Sequence, residues 1–99
     1  MVHRTYFSIE YAKEIGDRIG ADWNKFSVEQ FKYGMETELE HGLRDPVTNV
    51  TNDDPLITGK IALAHLNDYP DYYIRLEQME REAEEYWGKI VTESSAFTI

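Results

Sequence analysis

Two histidines in this chain each stand three residues from a carboxylate, and no other arrangement in the sequence carries as much chemistry. In Glu38-Leu39-Glu40-His41 the first and last residues share one helical face, as in the Glu-x-x-His unit of di-iron carboxylate bundles. His65 and Asp68 repeat the spacing. Two such pairs on neighbouring helices supply four nitrogen and oxygen ligands: Glu38, His41, His65 and Asp68. That set suits a divalent transition metal such as iron, zinc or manganese rather than a soft ion. With a redox-active ion, oxygen chemistry or storage becomes conceivable. Each residue also has a structural role to weigh against ligation. His41 in a last helical turn interacts favourably with the final carbonyls and the helix dipole. His65 follows Ile61 by four residues in an apolar stretch, so its nitrogens need buried partners, which Glu38, Asp68 or a tyrosine would provide. Asp68 is placed to cap the following helix.

Other chemistries find less to start from. Cysteine is absent, which removes disulfides, thiolate zinc sites and cysteine nucleophiles together. Thr58-Gly59-Lys60 has the end of a phosphate loop but lacks its earlier glycine and preceding strand. Asp45, Asn49, Thr51, Asp53 and Asp54 offer calcium-type oxygens without the EF-hand order, its glycine or its closing glutamate. No Ser, His and Asp arrangement suggests hydrolysis. The seven tyrosines, three of them between Tyr69 and Tyr73, read as core-edge residues whose hydroxyls reach water or a carboxylate.

The elements that must position these residues are helices. Ser8 as N-cap, apolar residues Ile9, Ala12, Ile15 and Ile19, and Gly20 as stop predict a helix over 9–19. Ser27 and Gln30 form a capping box, with Phe26 and Phe31 as its hydrophobic staple, and start a second helix over 28–41 that Gly42 ends. Residues 43–53 read as a loop that hydrogen-bonds its own backbone. Asp54 before Pro55 starts a third helix to about Asn67, apolar nearly all round and so expected to be the most buried. A fourth begins near Asp71, and its apolar residues Tyr72, Leu76, Met79, Ala83, Tyr86 and Ile90 draw a narrow seam. The expectation is an all-α fold, a compact bundle of about four helices with a long ordered loop between the second and third.

A chain of 99 residues supports one core, so residues 1–90 are expected to form a single helical domain and 91–99 a flexible or docking tail. Ten Lys plus Arg against 19 Asp plus Glu give a net charge of −9, which argues against nucleic acid and anionic membrane as partners. Residues 61–99 hold three basic and eight acidic residues, so the fourth helix is the acidic face. That face, or the Ala96-Phe97-Thr98-Ile99 tail, is a candidate surface for a protein partner, and the seam makes a homodimer plausible. Without a continuous apolar start or an apolar run of about 18–20 residues, the expected location is the cytoplasm.

The stretch from Trp23 to Trp87 resembles a family of small uncharacterised proteins found in archaea, bacteria and phages. The resemblance is most specific in Glu38-Leu39-Glu40-His41-Gly42 and His65-Leu66-Asn67-Asp68-Tyr69-Pro70-Asp71-Tyr72-Tyr73. It implies a domain of undetermined function in which the two histidine blocks belong to one module, and it supplies no reaction.

Overall fold

Capping chemistry sets where each helix begins. The computed structural model describes residues 6–93, and in them the helices are α1 (Ile9–Ile19), α2 (Val28–Arg44), α3 (Pro55–Asp68) and α4 (Tyr72–Glu93), with no strand among the described residues. The Ser8 hydroxyl accepts the Tyr11 amide at 3.1 Å and the Ser27 hydroxyl accepts that of Gln30 at 3.1 Å. Asp54 accepts two amides, those of Leu56 and Ile57, ahead of a proline whose missing N–H costs nothing in the first turn. Gly20 ends α1 in the left-handed region at φ 83°, which a side chain would strain. The box at Ser27 closes on one side only, because the buried Oε1 of Gln30 has no hydrogen-bond partner among the described residues. The staple forms as expected: the Phe26 and Phe31 rings stack 6.5 Å apart, and Trp23 meets both edge to face.

The core lies between α1, α2 and α3, and it takes Tyr73 from α4. Ala12, Ile15, Phe31, Met35, Ala62, Leu66 and Tyr73 make up most of it. Contrary to the reading of α3 as the most buried helix, it hides one face, Thr58, Gly59, Ala62 and Leu66, and leaves Ile57 42% exposed. The small residues on that face explain the difference, since they let α1 come close. A Cβ on Gly59 would meet Ile15 Cγ2 at 2.8 Å.

Gly42 does not stop α2, which runs to Arg44 with Gly42 buried inside it. The glycine is needed for a close approach instead, as a Cβ there would lie 2.8 Å from both Asn49 Oδ1 and Thr51 Oγ1. Against it packs the long loop, ordered by side chains that mimic backbone turns. Asp45 Oδ1 accepts the Val47 amide and Asn49 Oδ1 that of Asn52, both at 2.9 Å. Asn52 and Asp53 take positive φ, which these two residue types tolerate best after glycine. The last residues of the expected tail, 94–99, lie outside the described residues, and α4 continues to Glu93.

Candidate functional site

Three helices meet at the hydroxyl of Tyr73. It donates to Glu38 Oε2 at 2.7 Å, and His65 Nδ1 stands 3.2 Å from the same hydroxyl and 3.3 Å from the same carboxylate oxygen. Tyr73 comes from α4, Glu38 from α2 and His65 from α3. Gly34 makes the meeting geometrically feasible. A Cβ there would sit 2.4 Å from Tyr73 Cε2, so the phenol ring packs directly on the α2 backbone at Gly34, and its hydroxyl reaches Glu38 one turn on.

Proton count fixes the roles in this triangle. Tyr73 has one hydroxyl proton and gives it to Glu38, so both neighbours of His65 Nδ1 face it as acceptors. An imidazole with one ring proton therefore carries it on Nδ1 here and keeps its lone pair on Nε2. Burial, and after it the charge of Glu38, pushes the Tyr73 phenol far above its ordinary range, so it stays a donor at any physiological pH. The Tyr72 ring stacks on His65 with centroids 4.2 Å apart and planes 14° from parallel, which holds the imidazole plane. Tyr72 is itself pushed upward by burial and by the charges of Glu38 and Glu80.

Glu38 and His65 of this triangle line a cleft of about 320 Å³ together with Thr37, His41, Arg44, Tyr72, Leu76 and Glu80, while Tyr73 itself is buried. Of the four residues picked out by spacing, Glu38 and His65 touch, His41 lines the same cleft, and Asp68 sits exposed at the end of α3 outside it. His65 has found the carboxylate and the tyrosine its structural role calls for. Sequence spacing passed over Glu80, which lines the cleft from α4, and Tyr73, which reaches Glu38 from the same helix. It also passed over Glu36, which is 1% exposed on α2 and accepts the Tyr6 amide at 2.7 Å, the Phe7 amide at 3.1 Å and Lys32 Nζ at 3.1 Å. Lys32 and Glu36 at a helical i, i+4 spacing within the Phe31 to Leu39 stripe are the signal that could have found it.

Fold and cleft together define a small all-α module built around an imidazole–carboxylate–phenol network. The chain belongs to DUF5661, a family of proteins of unknown function, whose model matches residues 12–82 and so spans both histidine blocks. Comparison with curated proteins and with solved structures gives no match. Among the described residues no helix is long and apolar enough to cross a membrane.

Proposed function

We propose that this chain is a small metal-binding module that holds a divalent transition-metal ion in the cleft between α2, α3 and α4. The contact that carries the reading is His65 Nδ1 to Glu38 Oε2, at 3.3 Å. Imidazoles that bind a metal through Nε2 give their other N–H to a carboxylate or carbonyl, which fixes the tautomer and strengthens the ligand. Glu38 does this for His65 with one oxygen, and its Oε1 makes no hydrogen bond among the described residues. His41, which has no partner among the described residues, and Glu80 line the same cleft, so Glu80 takes the place that spacing gave to Asp68. Imidazole and carboxylate donors suit zinc, iron or manganese. Among the described residues no three His, Asp or Glu side chains stand close enough to hold an ion as they are, so binding draws His41 and Glu80 inward from the cleft wall.

Elemental analysis of untagged protein tests this. The expected result is near-stoichiometric first-row metal, diminished in His65→Ala, His41→Ala and Glu38→Ala, with a melting temperature that a chelator lowers, since an ion bound only to the folded state stabilises it. Metal-free protein that neither takes up added zinc, manganese or iron nor changes its melting with chelator overturns the reading.

A second reading, a non-catalytic acidic adaptor with purely structural histidines, draws on a different part of the molecule. Its observation is the exposure of Met79, Tyr86 and Trp87 on α4.

A further inference from the structure

α4 runs far past the part of it that packs on the core. Its Tyr72, Tyr73 and Leu76 join the core, and no side chain beyond Leu76 does so among the described residues. Yet the helix continues to Glu93, 22 residues and so about 33 Å in all. An acidic polar surface would be the simplest way to keep such a projecting helix in water. Instead Met79, Tyr86 and Trp87 are 53%, 62% and 61% exposed, and the last two rings meet edge to face at 5.0 Å. Met79, Ala83 and Tyr86 continue the stripe of Tyr72 and Leu76 at alternating spacings of four and three, the repeat that keeps one face of a helix turned toward a partner helix.

Charge narrows the choice of partner. Between Glu77 and Gly88 there are five glutamates, Glu77, Glu80, Glu82, Glu84 and Glu85, against Arg81 alone, and Glu82 directly precedes Ala83 beside the stripe. A second copy laid on this face would bring the same excess of negative charge against itself. A helix with an apolar seam of matching repeat and lysines or arginines beside it would meet apolar side chains with apolar ones and glutamates with cations.

We propose that α4 beyond Leu76 is a docking face for a basic amphipathic helix of a partner protein, with Met79, Ala83 and Tyr86 as the apolar seam, Trp87 at its edge and the glutamates setting orientation and charge preference. This rests on the adaptor reading and not on the metal cleft.

Fluorescence anisotropy with three labelled synthetic peptides of about 20 residues tests it against the full chain. One is a Leu/Lys heptad helix, one has the same composition in scrambled order, and one replaces each Lys with Glu. The heptad Lys peptide is expected to bind, more weakly as salt rises, and to lose about tenfold or more in affinity to the double variant Met79→Ala, Tyr86→Ala. Both side chains are exposed, so the variant should keep its helicity, which circular dichroism checks. Equal binding of the scrambled peptide, or an unchanged affinity in the variant, overturns the proposal in favour of bare charge attraction. Sedimentation equilibrium separates the remaining outcomes. A dimer that the double variant abolishes, with no peptide bound, makes a second copy the occupant and removes the basic partner while sparing α4 as an interface. A chain that neither binds the peptide nor self-associates overturns this proposal and the adaptor reading with it.

Discussion

The ring of Tyr73 occupies the space a side chain on Gly34 would fill, with 2.4 Å between the missing Cβ and Tyr73 Cε2. Because Tyr73 is 0% exposed, the ring has nowhere to retreat, and the spacing of α4 from α2 depends on a single hydrogen atom. Gly34→Ala should therefore destabilise the chain by about 1–3 kcal/mol, although alanine is the better helix former. Urea unfolding measures this. Unchanged or raised stability would show that α4 rides freely on α2.

Tyr73→Phe keeps the ring and removes the hydroxyl. Glu38 then loses one of its two donors, the one at 2.7 Å, and His65 one of its two acceptors, for a cost of about 1–2 kcal/mol. The proton should stay on His65 Nδ1 and keep donating to Glu38, and ¹⁵N shifts of the imidazole report it. Conversion to the other tautomer in Tyr73→Phe would mean that the phenol and not the carboxylate sets the ring.

The same hydroxyl makes alkaline stability measurable. An unfolded tyrosine releases its proton at about pH 10. In the folded chain Tyr73 is held well above that by burial and then by Glu38, and Tyr33 is pushed up to about 12 by burial and then by Glu77. Above about pH 10 the unfolded state sheds protons that the folded state keeps, so stability present in full below that pH falls as pH rises. Buried Tyr73 alone accounts for about 1.4 kcal/mol per pH unit. Tyr33 is partly exposed and contributes less, its share ending at about pH 12. Tyr73→Phe should flatten the decline, and an equal slope in the variant would remove Tyr73 from the account.

What was legible in the sequence is what neighbouring residues decide among themselves. Ser8, Ser27 and Asp54-Pro55 mark helix starts because a cap bonds within its own turn, and Gly20 marks an end because its φ is local. Glu38 and His41 were legible as a pair for the same reason. Gly42 misled because the identical residue serves a contact with Asn49 and Thr51 that only the folded loop brings to it. Tyr73 reaches Glu38, and Glu80 the cleft, across gaps in sequence that no periodicity measures. His65 stood between the two cases. Its need for a partner followed from its apolar helix, and its choice of both Glu38 and Tyr73 followed from Gly34, which carried no such label.

Glu36 anchors the segment ahead of α1. Its buried carboxylate accepts the Tyr6 and Phe7 amides and pairs with Lys32, so replacing it takes partners from two backbone donors and one cation. Glu36→Ala should cost about 1–3 kcal/mol and speed amide exchange at Tyr6 and Phe7 while leaving α3 untouched. Exchange that rises equally across α3 would mean that Glu36 supports the whole core.

Hydrogen exchange along α4 tests whether its two halves differ as their packing says. Amides from Tyr73 to Leu76 belong to the part whose side chains join the core, and opening them means lifting Tyr73 off Gly34. Amides from Glu80 to Trp87 belong to a helix whose apolar residues are mostly exposed, so local fraying opens them at far lower free energy. Protection should therefore fall after Leu76, and saturating the chain with the heptad Lys peptide should raise it between Glu80 and Trp87 alone. Uniform protection along the free helix would show that something already covers the second half, and a rise spread over α1 to α3 on adding peptide would place the contact elsewhere.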